Sequence, residues 1–240
     1  MKKQFFKRSL NSFLFLTLPV AMTLAIPLVG PLAASCQAKE KRPDADTALK
    51  ELKAGNLRYL EGVSKHPRID PVTRLRTAKK GQVPIASVLS CADARVPVEL
   101  IFDKGFGDLF VVRVAGNVCK TAELASIEFG SLYLKTPLVV VLGHSKCGAV
   151  RAAIDGGEDL KGSLPLLMKE IRPAVLSTKK AHPDLTGEAL ENETIDANVR
   201  LSIKRLLESP AINKAVKDKR VKIVGAVRDL KSGKVRWLSD

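Results

Sequence analysis

Aromatic and acidic residues are both scarce in this sequence of 240 residues. Only 5% are Phe, Trp or Tyr, so a hydrophobic core has to be built mainly from Val, Leu, Ile and Ala. Lys and Arg number 40 against 25 Asp and Glu, which gives a formal net charge of +15. The basic residues are scattered and are not interleaved with aromatic side chains on which bases could stack, so we expect no nucleic-acid partner. The composition favours a solvated basic surface, with contact to an anionic membrane as the alternative.

Charge is also absent from a long stretch near the N-terminus. No charged residue occurs between Arg8 and Lys39, and this stretch is rich in Leu, Phe, Val and Ala. Basic residues followed by an apolar run are typical of a targeting segment. We therefore assign residues 1–38 to export and expect residues 39–240 to form a single domain.

The targeting segment ends in small residues directly before Cys36. This pattern resembles a bacterial lipoprotein signal, in which the cysteine is lipidated and tethers the chain to a membrane. Ala33 stands where that signal usually has a bulky leucine, so two alternatives remain. The segment could be cleaved near Ala34 to Ala38 without lipidation, or it could stay uncleaved as an anchor. Each of these places the domain outside the cytoplasm, in the periplasm or cell envelope.

Two short motifs follow apolar runs that are typical of buried β-strands. The motif from Cys91 to Arg95 (CADAR) ends the run PIASVLSC, and the motif from His144 to Cys147 (HSKC) ends the run PLVVVLGH. Neighbouring parallel strands present their carboxyl ends on one edge of the sheet, so the two motifs can meet in space. Two thiolates and an imidazole are zinc ligands. The sequence therefore predicts a Zn²⁺ site made by Cys91, His144 and Cys147.

Asp93 and Arg95 determine whether this site is open. Two residues beyond Cys91, Asp93 can bind zinc as a fourth ligand, or it can accept a hydrogen bond from a hydroxide bound to the metal. Arg95 can hold Asp93 away from the metal through a bidentate ion pair. The first arrangement is closed and inactive, whereas the second leaves room for a water molecule whose pKa the metal lowers. We assign catalytic roles to Asp93 and Arg95.

The remaining cysteine, Cys119, is expected to be a buried free thiol. With Cys36 lipidated and Cys91 and Cys147 bound to zinc, no pair remains for a disulfide, so no disulfide framework is implied.

Alternating apolar strands and amphipathic helices predict an α/β fold, with a mainly parallel four-stranded sheet flanked by helices and an antiparallel fifth strand at the edge. An N-terminal helical arm covers about 45–70, with its helix at 46–61, and the segment 63–83 is expected to wrap over a surface. Residues 155–189, which contain several prolines, are expected to form helix pieces in a variable connection. The predicted strands are 84–91, 108–114, 137–143, 221–229 and 234–238, and further helices are predicted at 97–102, 121–134, 190–208 and 210–218, with another starting near Cys147.

The two motifs together resemble the zinc signature of β-class carbonic anhydrases. The segments GQVP, DLFVVRVAGN, ASIEFGSLYL, ENETIDANVRLSI and VGAVRDLKSGKVRWL also resemble that family, in the same order, over roughly residues 45–240. The resemblance implies reversible hydration of CO2 to bicarbonate by a zinc-bound hydroxide. It also implies a homodimer or homotetramer, with the helix at 46–61 crossing onto a neighbouring subunit.

Five further residues match positions that the family uses around its substrate. Gln82 matches a glutamine that hydrogen-bonds the substrate from the partner subunit. Phe110, Ala115 and Phe129 match an apolar lining, and Phe129 stands where many relatives have tyrosine. Gly148 matches a glycine whose backbone can approach the metal ligand closely.

Two other functions are compatible with the same residues. Related zinc enzymes hydrolyse carbonyl sulfide or carbon disulfide, and the width of the access tunnel would separate them from a carbonic anhydrase. A non-catalytic zinc protein, with its site closed by Asp93, is the other. Asn117 and Asn198 are expected to be structural.

Overall fold

The computed structural model describes residues 42–157 and 160–239, and these belong to one compact unit, Lys41–Asp240. Cys36 and the whole predicted targeting segment lie outside the described residues. Within the described ranges no helix is long and apolar enough to cross a bilayer.

A five-stranded sheet organises the domain. Its strands are β1 (Ala86–Ser90), β2 (Leu109–Arg113), β3 (Leu138–His144), β4 (Lys222–Arg228) and β5 (Val235–Trp237). The spatial order is β2-β1-β3-β4-β5; the first four strands are parallel and β5 is antiparallel to β4. The predicted fold class is confirmed.

Eight α-helices accompany the sheet in the described part of the chain. The first two precede the sheet in the sequence, α3 lies between β1 and β2, and the other five follow β2. These five helices cover one face of the sheet. Their bounds are α1 (Ala45–Leu60), α2 (Pro71–Lys80), α3 (Val98–Ile101), α4 (Thr121–Glu128), α5 (Gly148–Ile154), α6 (Leu164–Ala181), α7 (Gly187–Glu208) and α8 (Pro210–Lys217).

The core lies on both faces of the sheet because β1 and β3 are buried along their whole length. Successive side chains of a strand point to opposite faces. Val88 therefore packs in the cluster that contains Leu52 of α1, whereas Leu89 packs in the cluster that contains Val199 of α7. Such two-sided burial explains why both strands are continuous apolar runs without polar alternation.

Two local predictions were wrong, and a third is confirmed in its extent only. The segment 63–83 contains α2, which begins at the N-cap Asp70; the Asp70 carboxylate accepts a hydrogen bond from the Thr73 amide at 2.8 Å. Pro71 follows at the first helical position, where proline costs no hydrogen bond. The helix escaped prediction because its only buried residue is Thr73, so it carries little apolar periodicity.

The second error concerns residues 155–189, where one helix of 18 residues replaces the expected helix pieces. Pro173 lies inside α6. Proline removes one backbone hydrogen bond from a helix interior, but Ile171, Ala174 and Val175 are buried on either side of it. Packing of this face outweighs the loss.

The helix predicted at 121–134 is confirmed in its extent, but it is not regular to its end. After α4, residues Phe129–Tyr133 form a wide π-helical turn closed by a hydrogen bond of 3.0 Å from the Leu134 amide to the Phe129 carbonyl. Gly130 is pressed against β1, since a Cβ at this position would lie 2.3 Å from Ser87 Oγ. Apolar periodicity gives no sign of such a turn.

Candidate metal centre

The three predicted zinc ligands converge at the carboxyl edge of the sheet. Cys91 directly follows β1, His144 ends the neighbouring parallel strand β3, and Cys147 is the N-cap of α5. One ligand atom from each residue lies within 4.8 Å of the other two, and all three residues are buried. The described residues contain no other group of three or more His, Cys, Asp or Glu arranged in this way.

The His144 imidazole is prepared for a metal ion. Its Nδ1 lies 2.9 Å from the Ser145 carbonyl oxygen, to which a protonated Nδ1 donates. Its Nε2 is buried and makes no hydrogen bond with any described residue. A buried nitrogen without a hydrogen bond costs free energy, and a metal ion beside the two thiols would remove that cost. The donor set of two sulfurs and one nitrogen fits zinc.

The two thiols share one site and therefore do not titrate independently. A hydrogen bond from Cys147 lowers the pKa of Cys91, although burial opposes this effect. The same interaction raises the pKa of Cys147. The Gly116 amide also donates to Cys91 Sγ at 3.3 Å. Cys91 is thus poised to be a thiolate, the form that binds metal.

Two polar residues of α7 hold the turn that carries Gly116. Asn198 Nδ2 donates to the Gly116 carbonyl at 2.7 Å, and Ser202 Oγ donates to the Asn117 carbonyl at 2.9 Å. Asn117 itself has a φ of 43° in this turn. These contacts support the structural role predicted for Asn117 and Asn198.

Asp93 is paired with Arg95 and is not one of the converging ligands. Arg95 Nε donates to Asp93 Oδ1 at 2.9 Å, and Arg95 Nη2 donates to Oδ2 at 2.7 Å. The Arg95 amide donates to Oδ1 as well, at 2.9 Å. These hydrogen bonds hold the pKa of Asp93 well below its usual range. Asp93 Oδ2 still lies only 3.8 Å from His144 Nε2, so the carboxylate borders the metal site.

Sequence reasoning missed the two arginines that hold the loop Cys91–Arg95. Arg113, at the end of β2, donates from Nε to the Cys91 carbonyl at 3.1 Å and from Nη2 to the Asp93 carbonyl at 2.6 Å. Arg228, at the end of β4, donates from Nη1 to the Arg95 carbonyl. A cation at the carboxyl end of each predicted strand was the available signal, because those ends meet on the edge that carries the ligands.

The aromatic residues matched to the substrate pocket do not all lie beside the metal ligands of their own chain. Phe110 is in register with Ser87 of β1. Ser87 precedes Cys91 by four residues, which is about 13 Å along a strand. The Phe129 ring centroid lies 6.0 Å from that of Phe110 and 5.6 Å from that of Tyr133.

The other matched residues differ in their exposure. Gln82 is exposed in the loop before β1, and Ala115 is half-buried and precedes Gly116. Gly148 is exposed, and a Cβ added there would meet no heavy atom within 4 Å. Cys119 is a buried free thiol, as predicted, and burial raises its pKa to about 12.

Comparison with known proteins places these features in one family. A family profile described as carbonic anhydrase matches residues 86–235. The carbonic anhydrase of Mycolicibacterium smegmatis is 38% identical over 196 residues, which cover 80% of this chain and 92% of that protein. Carbonic anhydrase 2 of Mycobacterium tuberculosis is 38% identical over 192 residues, covering 78% of this chain and 89% of that protein.

Solved structures agree with the sequence relatives. The β-carbonic anhydrase CcaA is 26% identical with a TM-score of 0.65, covering 80% of this chain and 95% of that one. A tetrameric β-carbonic anhydrase of Sordaria macrospora is 25% identical with a TM-score of 0.66, covering 81% and 98%. With these relatives and with Cys91, His144 and Cys147 grouped at the expected sheet edge, the chain belongs to the β-class carbonic anhydrase family.

Proposed function

We propose that this protein is a zinc enzyme that catalyses the reversible hydration of CO2 to bicarbonate and a proton. The observation that carries the proposal is the buried group of Cys91, His144 and Cys147 beside a carboxylate that Arg95 holds off the ligands. Zinc held by these three residues would supply a Lewis acid that lowers the pKa of water at an open coordination position.

Asp93 acts as a hydrogen-bond acceptor in this proposal. Because Arg95 keeps the pKa of Asp93 low, its carboxylate stays ionised at neutral pH and can accept a hydrogen bond but not donate one. A water molecule between Asp93 and the ligand atoms would donate one hydrogen to Oδ2. That hydrogen bond would orient the lone pairs of the water oxygen for attack on CO2.

The geometry does not favour the closed, non-catalytic alternative. Asp93 makes three hydrogen bonds with Arg95, and the group of converging ligand atoms consists of Cys91, His144 and Cys147 without it. The relatives are named carbonic anhydrases, so hydrolysis of carbonyl sulfide or carbon disulfide is not favoured either.

A second copy of the chain is proposed to complete each site. Phe129 and Tyr133 leave 48% and 75% of their surfaces exposed, which is unusual for stacked aromatic rings in an isolated subunit. Helices α1 and α2 also expose apolar side chains: Leu57, Leu60, Val72 and Leu75. An apolar wall suits CO2, which has no dipole. Phe110, Phe129 and Gln82 would form part of the wall of the partner's site in a homodimer or homotetramer.

Light scattering on the purified chain tests this assembly. We expect a mass of two or four chains for the wild type and a smaller mass for Tyr133→Glu, which places a charge in the exposed aromatic group. A monomeric wild type with full activity would contradict it.

Stopped-flow measurement of CO2 hydration tests the enzymatic proposal. The zinc-loaded full-length chain is measured at pH 7 and again above pH 8, with His144→Ala as the control that lacks one ligand. We expect hydration by the wild type at both pH values and none above background by the control. A wild type with stoichiometric zinc that is inactive at both pH values would reject the proposal.

We also propose that the protein is exported to the periplasm or cell envelope, with Cys36 as a lipidated membrane tether. The support comes from the N-terminal sequence, in which Lys7 and Arg8 precede an uncharged apolar run that ends before Cys36. Mass spectrometry of the mature N-terminus is the test. A diacylglyceryl adduct on Cys36 is the expected result, and an intact Met1 on cytoplasmic protein would refute export.

A further inference from the structure

Arg228 contacts both halves of the metal centre, the segment His144–Cys147 and the loop Cys91–Arg95. Arg228, in β4, lies opposite His144 in the neighbouring strand β3. The Arg228 carbonyl accepts a hydrogen bond from the Ser145 amide at 2.8 Å. Its side chain reaches in the other direction and donates to the carbonyl of Arg95. The residue that ends β4 thus ties the strand that carries one ligand to the loop that carries another.

The Arg228 side chain is itself held in place. Its Nη2 donates to the Tyr59 hydroxyl at 3.0 Å, and its guanidinium lies 5.7 Å from the centroid of the Tyr59 ring. Arg228 is 5% exposed. Burying a guanidinium costs solvation free energy, which only good hydrogen bonds offset. These contacts make Arg228 a fixed support for the loop and not a mobile surface charge.

The consequence for the site passes through Arg95. Arg95 leaves 58% of its side chain exposed. Among the described residues, its side chain makes one hydrogen bond outside its own loop, a weak one of 3.4 Å to the Lys146 carbonyl. The position of its backbone therefore sets where its guanidinium meets Asp93. Arg228 fixes that backbone at the Arg95 carbonyl, while Arg113 fixes the carbonyls of Cys91 and Asp93 earlier in the loop.

We infer that Arg228 is a positioning residue, which holds the Cys91–Arg95 loop so that Arg95 keeps Asp93 off the metal. Without its side chain, the C-terminal end of the loop loses its anchor and Asp93 can turn toward the vicinity of His144 Nε2, from which its Oδ2 is now 3.8 Å away. The site then spends more time closed. This inference deepens the proposed function and rests on it for the reaction, but its test does not require turnover.

The test measures whether the fourth coordination position is open. Full-length wild type and variants are loaded with Co²⁺ in place of zinc and titrated with azide, an anion that binds the metal only where a position is free. The visible absorption spectrum reports binding. For Arg228→Gln we expect the azide concentration at half-saturation to rise by about tenfold or more, the loss that one charged hydrogen bond can cause.

Three further variants separate positioning from general damage. Arg228→Lys keeps the charge and one donor, so its half-saturation should lie between those of the wild type and Arg228→Gln. Tyr59→Phe removes the hydroxyl that holds Arg228 and should give a smaller rise. Arg236→Gln is the matched control on the neighbouring strand β5, because Arg236 makes two hydrogen bonds to Asp196 and none to the loop; its half-saturation should equal that of the wild type.

The inference is overturned if Arg228→Gln binds one Co²⁺ and has the same half-saturation as the wild type and Arg236→Gln. If Arg228→Gln does not fold, the decision falls to Arg228→Lys and Tyr59→Phe, and wild-type values for both overturn it. Absence of hydration by the wild type would instead reject the proposed function, and the azide comparison would still stand.

Discussion

The two halves of the metal centre are attached to the fold in different ways. His144 belongs to β3, the central strand, with β1 on one side and β4 on the other, and it is 0% exposed. Cys147 begins α5 and is 2% exposed. The other half is the loop after β1, in which Asp93 is half-buried and Arg95 is exposed. Main-chain structure fixes the first half, whereas side chains from β2 and β4 fix the second.

This difference assigns different tasks to the two halves. A ligand fixed by a central strand cannot move without disrupting the sheet, so the half with His144 and Cys147 sets where the metal lies. A loop held by a few side-chain hydrogen bonds can change at the cost of one or two of them. The half with Asp93 and Arg95 therefore sets whether the metal is accessible.

The largest expected effect comes from a ligand in the fixed half. Cys147→Ser replaces a thiolate ligand by a hydroxyl, and we expect the affinity for zinc to fall by at least about 100-fold. Zinc per chain, measured after equilibration with a chelator, is the readout. Cys119→Ser is the matched control, since Cys119 is equally buried but is not among the ligands. Retention of stoichiometric zinc by Cys147→Ser would erase the distinction between the halves.

A smaller effect is expected in the adjustable half. Asp93→Asn should keep zinc but lower kcat by about 100-fold, because the amide lacks the charged acceptor for the water hydrogen. Stopped-flow hydration is measured together with zinc content. Asp103→Asn is the control: Asp103 is a buried carboxylate that is also paired with an arginine, Arg58, but it contacts no metal ligand. It should lower the free energy of unfolding and leave kcat unchanged. Full turnover by zinc-loaded Asp93→Asn would remove the role assigned to this carboxylate.

The smallest effect is one on stability alone. In β3 a Cβ at position 143 would lie 2.8 Å from Val199 Cγ2, so Gly143→Ala should lower the free energy of unfolding by about 1–3 kcal/mol. Gly148 directly follows Cys147 in the same half, and Gly148→Ala meets open space, so it should change the free energy of unfolding by less than about 0.5 kcal/mol. Denaturant unfolding compares the two. Equal changes in the free energy of unfolding for Gly143→Ala and Gly148→Ala would mean that packing does not stiffen the half that carries His144.

The parts that the sequence predicts are those that depend on local pattern and on chain topology. β1 and β3 are recognisable because burial on both faces requires continuous apolar runs. The meeting of Cys91 with His144 and Cys147 then follows from the shared edge of parallel strands. The ion pair between Asp93 and Arg95 can be predicted because the two residues are only two positions apart in the sequence. None of these steps needs knowledge of distant packing.

The missed features depend on contacts between residues far apart in the sequence. Arg228 reaches Arg95 across 133 positions, and although its place at the end of a predicted strand put it on the correct edge of the sheet, the sequence does not identify Arg95 as its partner. The continuity of α6 through Pro173 depends on the burial of its flanking residues. α2 was missed for the opposite reason: its capping residue Asp70 was visible, but its exposed surface gave no apolar period.

The wide turn at Phe129–Tyr133 has a consequence for comparing this chain with its homologues. Such a turn contains one residue more than a regular helical turn. Deleting a single residue there would restore regular helical geometry, because the wide turn accommodates the extra residue locally. The length of this segment, as well as its sequence, therefore decides which side chain is equivalent to Phe129. An alignment gap shifted by one position would pair Phe129 with the wrong residue.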